Sequence, residues 1–244
     1  MSFLIILFGV FLGIFGSLGG GANLISTPIF ILLGLSPVSA IAVSKFGLLG
    51  LVLASLYKFQ REKKILWKYF LPLAILSAIG SFLGVTILIS INEALLTKII
   101  AVIIIIFSLL ALFWKELGEK RREKSFLSKL LGFIVFFFSS IYGGFFGGGG
   151  KFFKIFIFCS LIGFTIIEAS AITVATGLIS LLVSLSVLIK GNFVDFSLAL
   201  PFALGMAIGG WFGTKIMIEK GEKFAKLFLI IATILLSLKI LFSQ

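Results

Sequence analysis

Polar positions along the chain fall into a few short clusters, and the stretches between them are apolar on every face. Long apolar runs cover 37–57, 69–91 and 94–114, and again 168–189, 194–217 and 223–242. Runs of about 20 residues can cross a hydrocarbon core of about 30 Å as helices. Barrel strands would instead alternate apolar and polar positions over about ten residues. No such alternation exists in "IIAVIIIIFSLLALFW" at 99–114. The pattern predicts an all-α integral membrane protein.

Two apolar regions, 3–35 and 127–164, are broken by glycine. The first reads "GSLGGGAN" at 16–23 and the second "GGFFGGGGK" at 143–151. The pieces 3–15 and 22–34 are each about 20 Å long as helices, too short to cross alone. Each region is read as a re-entrant hairpin of half-helices that enters the membrane, turns at the glycines and leaves on the same side. The alternative is two short, tilted spans in a thinned bilayer.

The polar and glycine positions repeat. An offset of 129 carries Gly34 to Gly163, Ser55 to Ser184, Pro72 to Pro201, Gly80 to Gly209, Gly84 to Gly213 and Glu93 to Glu222. Residues 34–113 and 163–242 share 22 identities in 80 ungapped positions. Apolar bias can align leucines by chance, but not a proline, three glycines and a glutamate in one register. The opening glycines align one residue out of step, Gly19, Gly20 and Gly21 falling on Gly147, Gly148 and Gly149. The chain therefore divides into a first unit at 1–114, a basic linker at 115–126 and a second unit at 127–244. Each unit combines one glycine-broken hairpin with three transmembrane helices.

Composition agrees with this division. The 244 residues are 60% hydrophobic and 12% charged, with a mean hydropathy of +1.29. A soluble domain carries about twice that share of charge. A formal net charge of +12 would suit a nucleic-acid partner, but the basic residues cluster in loops between apolar runs, so no nucleic acid is expected. Five basic residues lie in 58–68 and six in 115–129, which places both segments in the cytoplasm. In the second unit the bias changes sides: 190–193 has one lysine and 215–226 has four. The two units are thus expected in opposite orientations, as inverted-topology repeats with both termini outside. No charged n-region or cleavage site precedes the first apolar segment, which is expected to be retained.

Inverted repeats with interrupted helices mark transporters that bind substrate near the membrane midplane. Irregular backbone is tolerated there only where it is buried in protein or lines a cavity. The half-helices after the glycines present free N–H groups and the positive ends of their dipoles, an arrangement suited to a small anion. The substrate-binding candidates are Gly19, Gly20, Gly21 and Asn23 at the first tip, and Gly147, Gly148, Gly149, Gly150, Lys151 and Lys154 at the second. Lys45, eight residues into a span, is either functional or snorkels to a headgroup. Ser44 and Thr173, with Ser26 and Thr27, can donate to an anion, or bond their own helix backbone. Glu168 and Asp195 stand where spans begin and read as N-caps. Gly80, Gly84, Gly209 and Gly213 form two GxxxG pairs and read as helix-packing positions. Cys159 reads as a small apolar residue.

The segments "FGSLGGGANLISTPIFILLGLSPVSAIAVS" and "YGGFFGGGGKFFKIFIFCSLIGFTIIEASAIT" resemble the paired signatures of the sulfite exporter TauE/SafE family. The resemblance covers essentially the whole chain. It rests on Gly19, Gly20, Gly21, Pro28, Ala42 and Ser44, and on Gly147, Gly148, Gly149, Gly150, Ala171 and Thr173. Phe156 stands where a counterpart of Pro28 would be expected. Lys45, Lys151 and Lys154 are not carried over from the family. The resemblance implies a permease of the cytoplasmic membrane that moves sulfite, thiosulfate, sulfonates or related organic anions.

The first reading is accordingly a secondary transporter of small anions working by alternating access, coupled to protons or to the membrane potential. Its partners are the substrate anion and the lipid bilayer, and its oligomeric state is open. No cofactor is implied. A passive anion channel of the same architecture is the alternative. An enzyme ranks last, because the chain has no histidine, one cysteine and few acids. No phosphate-binding loop of the Walker type supplies ATP coupling.

Overall fold

The computed structural model describes residues 2–92, 94–96, 99 and 120–241, with side chains in the last helix described to residue 221 and at Phe224. The first unit contains α1 (Ser2–Gly19), α2 (Ala22–Leu32), α3 (Pro37–Arg61) and α4 (Trp67–Ser90). The second contains α5 (Phe126–Phe145), α6 (Gly150–Ile157) with a π turn (Phe158–Ile162), α7 (Ile166–Lys190) and α8 (Phe196–Leu241). Among the described residues, five helices are long and apolar enough to cross a membrane: α3, α4, α5, α7 and α8 up to Gly221. The expected third span of the first unit, 94–114, lies largely outside the described residues, as does 115–119 of the linker. Its counterpart after 222 is helical to Leu241 and is joined to the preceding span by a break at Gly221 (φ 79°, ψ −173°).

The helix boundaries follow from local chemistry that matches between units. Gly21 and Gly149 are the left-handed N-caps of α2 and α6, with φ 93° and 73°. Gly34 and Gly163 end the returning arms at φ 93° and 89°. Ser36 then caps α3, accepting from Ser39 N at 3.3 Å, with Pro37 at the first helical position. Thr165 caps α7 in a full capping box with Glu168. Asp195 Oδ1 accepts from Ser197 N at 2.9 Å just before α8, as an N-cap does.

The one-residue slip between the units has a structural cause. Gly21 to Gly149 is an offset of 128, whereas Gly34 to Gly163 is 129. The extra residue is absorbed by the π turn, whose backbone bonds Gly163 N to Phe158 O at 2.8 Å. A single added residue in a helix is what a π bulge accommodates.

The glycine-broken region of the second unit is a hairpin whose arms begin and end together. Ser128 Oγ, near the start of α5, donates to Leu161 O at 2.7 Å. Arg122 N, just before α5, donates to Gly163 O at 2.9 Å. The first arms are longer than the sequence suggested. α1 has 18 residues and α5 has 20, so the first piece does not stop at 15 and α5 alone is long enough to cross. Helix continues through Gly9, Gly13 and Gly16 because their missing side chains let α8 backbone pack directly on Gly9 and Gly13, and the side chains of Ala22 and Leu51 on Gly16. A Cβ on Gly13 would stand 2.9 Å from Gly209 Cα, and one on Gly16 2.9 Å from Ala22 Cβ.

The tertiary contacts exchange partners between the units. α1 of the first unit packs on α8 of the second, and α5 of the second packs on α4 of the first. α3 packs on α8 and α4 on α7 in the same way, and α3 meets α7 at the centre. The GxxxG glycines make these contacts. A Cβ on Gly80 would lie 2.8 Å from Ser140 Cβ of α5, and one on Gly209 2.8 Å from Ile14 N of α1. Buried hydroxyls bridge the same interfaces. Thr214 Oγ1 donates to Ser55 Oγ at 2.8 Å between α8 and α3, and Ser77 Oγ to Thr176 O at 3.0 Å between α4 and α7. The outer faces carry exposed Phe3, Phe11, Leu71, Phe138 and Leu204, the surface that a lipid environment covers.

One end of the bundle is strongly basic. Lys63, Lys64 and Leu66 share a cleft with Thr165, Ile167 and Glu168, and Arg121 pairs with Glu168 at 3.4 Å. The loop after α3, the end of the linker and the start of α7 are therefore neighbours. The C-terminal end of α3 lies beside the N-terminal end of α7, the helix that repeats it.

Candidate anion site

The two glycine turns touch. A Cβ on Gly20 would lie 3.0 Å from Lys151 Cβ and 3.2 Å from Phe152 N, so the first tip approaches the second at backbone distance. Only glycine permits this, since Gly20 also has a φ of 70°. From the other side, a Cβ on Gly147 would lie 3.9 Å from Asn23 Nδ2.

A cavity of about 100 Å³ opens where the tips meet. Gly16, Gly20, Gly21, Ala22 and Asn23 line it from the first hairpin, and Gly143, Gly147, Gly150, Lys151 and Lys154 from the second. Leu48, Leu51 and Val52 of α3 close one wall; Thr173, Val174, Gly177, Ser180 and Leu181 of α7 close the other. The first residues of α2 and α6 are among the lining, so both helix N-termini open on the cavity.

Three lysines surround this point, Lys45 and Lys154 buried and Lys151 partly buried. Lys45 is 1% exposed and does not snorkel: its Nζ donates to Gly143 O at 3.1 Å and to Gly144 O. Lys151 Nζ donates to Ser17 O. Lys154 is 5% exposed, with its Nζ 5.0 Å from the centroid of the Phe136 ring. The four ion pairs among the described residues involve other cations: Lys58–Glu62, Arg121–Glu168, Lys129–Glu123 and Lys215–Glu219. Among the described residues, no acidic side chain lines the cavity.

Two lining side chains have unmet hydrogen-bonding capacity. Among the described residues, neither the oxygen nor the nitrogen of the Asn23 amide has a partner, although the residue is 2% exposed. Thr173 Oγ1, in a residue 5% exposed, has none either. Buried polar groups are almost always paired, because leaving one unpaired costs about 1–3 kcal/mol. Two such groups on one cavity, near three cations, suit a polar anionic occupant.

The other sequence candidates lie nearby with different roles. Ser44 is not part of the lining; its hydroxyl accepts from Ser26 Oγ at 2.8 Å and from Thr27 Oγ1 at 3.2 Å. Gly148 and Gly149 shape the second turn without lining the cavity, and the Tyr142 hydroxyl donates to Gly148 O. Gly19 ends α1 immediately before the first turn. Gly177 and Ser180 were not singled out from the sequence. They follow Thr173 at i+4 and i+7 on one face of α7, a spacing that could have identified them.

Comparison with known proteins agrees with this architecture. Residues 5–240 match the family model described as "Sulfite exporter TauE/SafE". A probable membrane transporter protein of Haemophilus influenzae is 25% identical over 228 residues, covering 93% of this chain and 89% of that protein. The probable membrane transporter protein YfcA of Escherichia coli K12 is 25% identical over 233 residues, covering 95% of this chain and 86% of its own length. No solved structure matches. With a multi-pass helical architecture and a family match over nearly its whole length, this chain belongs to the sulfite exporter TauE/SafE family.

Proposed function

We propose that the protein is a secondary transporter of small anions in the cytoplasmic membrane, with sulfur oxyanions such as sulfite and thiosulfate, or organosulfonates, as cargo. The observation that carries this reading is the cavity between the two glycine turns, bordered by Lys151 and Lys154 and by the unpartnered groups of Asn23 and Thr173. The family name and the transporter names of its relatives support transport and favour sulfur anions. Alternating access fits two units of inverted topology, each exposing the shared site to one side in turn. The exchanged packing of equivalent helices and the change of side in the basic residues both support that topology. The glycine-broken segments act as re-entrant hairpins that carry the site to the midplane.

Flux into proteoliposomes tests the reading. Sulfite or thiosulfate uptake should saturate and show counterflow. Gly177 offers a clean block, because a Cβ there meets nothing within 4 Å and the residue lines the cavity. Gly177→Leu should fold and bring saturable flux to background. Unsaturated conductance would point to a channel, and absence of flux for these anions would remove the sulfur assignment.

A further inference from the structure

The three lysines around the cavity are not equivalent. The last carbonyls of any helix lack intrahelical donors. Water satisfies them at a surface, but α1 and α5 end inside an apolar bundle, where an unmet carbonyl has no solvent to replace the missing donor. Gly16 O still receives Gly20 N at 3.0 Å, and Tyr142 O receives Phe146 N at 2.9 Å and Gly147 N at 3.1 Å. The next carbonyls in each helix are Ser17 O, and Gly143 O with Gly144 O. These are the carbonyls that the lysines reach: Lys151 takes Ser17 O, and Lys45 takes Gly143 O and Gly144 O.

We propose that Lys45 and Lys151 are reciprocal positioning residues, each closing the broken helix end of the opposite unit, and that Lys154 is the cation that binds the transported anion. The donors cross between units in both directions: Lys45 of the first holds α5 of the second, and Lys151 of the second holds α1 of the first. A cation at a helix C-terminus also meets the negative end of its dipole. Lys154 has no carbonyl or carboxylate partner among the described residues. Its Nζ lies 3.6 Å from where a Cβ of Gly143 would stand, and the same point is 3.8 Å from Ser180 Oγ of the cavity wall.

The repeat supports this division. Lys154 corresponds to Ser26 at the offset of 128 that aligns the turns, and Thr173 corresponds to Ser44 at the offset of 129. In the first unit that pair is closed on itself by the 2.8 Å bond from Ser26 to Ser44. In the second unit both members face the cavity, and Thr173 Oγ1 lacks a partner. The ligand half of the site is thus held mainly by the second unit, with Asn23 supplying the contact from the first.

The assignment of Lys154 rests on the proposed anion transport; the capping roles do not. The test combines equilibrium binding of labelled sulfite and thiosulfate to purified protein with amide hydrogen exchange. Lys154→Met should weaken anion binding by about tenfold or more, the scale of one charge-assisted hydrogen bond, and leave exchange at both helix ends unchanged. Lys154→Arg should recover part of the loss. Lys45→Met should raise exchange over 143–150, and Lys151→Met over 16–22, each in the opposite unit. If either Met variant fails to fold, Lys45→Gln or Lys151→Gln, which keeps a donor, should show the same local rise to a smaller extent. Loss of binding in the Lys45 and Lys151 variants without a change in exchange would make them ligands and overturn the proposal. Undiminished binding by Lys154→Met would overturn it equally. If the wild type binds neither anion, the transport reading fails for these anions, and the exchange data still decide the caps.

Discussion

At Gly84 and Gly177 the same substitution has opposite consequences. A Cβ on Gly84 would stand 2.6 Å from Phe145 N and nearer still to Ile141 O, both backbone atoms of α5. Gly84→Ala should therefore cost about 1–3 kcal/mol by forcing α4 from α5. Gly177→Ala meets only the cavity and removes a glycine from a helix interior, so it should leave stability unchanged or raise it by up to about 1 kcal/mol. Thermal unfolding in detergent separates the two, and equal destabilisation would contradict the packing described. Residue type alone marked Gly84 and all three lysines as notable, but not Gly177. It could not sort the lysines, because their acceptors Ser17, Gly143 and Gly144 lie 134, 98 and 99 residues away in sequence.

Among the elements, the boundaries depend on a few backbone conformations. Gly21 and Gly149 begin α2 and α6 in the left-handed region, which costs an L-residue about 1–2 kcal/mol. Gly21→Ala and Gly149→Ala should each lower the unfolding midpoint accordingly. Thr165→Ala removes the acceptor of the capping box at α7 and should cost about 1 kcal/mol. The glycine turns were visible in the sequence as Gly-rich stretches, whereas Thr165 was not singled out: Glu168, read as the N-cap of α7, stands three residues inside the helix as the partner of Thr165 in the capping box. The lengths of α1 and α5 were not visible either. Glycine within an isolated helix reads as a breaker, whereas Gly9 and Gly13 continue α1 because α8 packs on their bare faces.

For the whole molecule, the proposed inverted topology makes a prediction about sidedness. With Cys159 replaced by alanine, Gln60→Cys should react with an impermeant maleimide from the cytoplasm and Lys190→Cys only from outside. Both positions are exposed, so labelling reports side rather than burial. Reaction of Lys190→Cys from the cytoplasm would overturn the inverted arrangement and, with it, the alternating-access mechanism. The basic end formed by the loop after α3, the linker and the start of α7 is the end expected to face the cytoplasm.

Sequence by itself determined the solvent, the repeat and the places where helices break. Those properties are local or periodic: apolar runs of spanning length, a proline and glycines in register, and consecutive glycines that no single helix face can use. It also placed Asn23, Lys151, Lys154 and Thr173 among the candidates, since polar groups within apolar runs need a reason to be there. Only the tertiary structure decided that the two tips touch, that Ser44 is closed by Ser26 while Thr173 stays open, and that Lys45 and Lys151 reach across to helix ends of the other unit. Each of these depends on which carbonyl, hydroxyl or cavity lies within about 3 Å of a side chain. In a bundle whose helices exchange partners between units, that distance follows from packing and not from position along the chain.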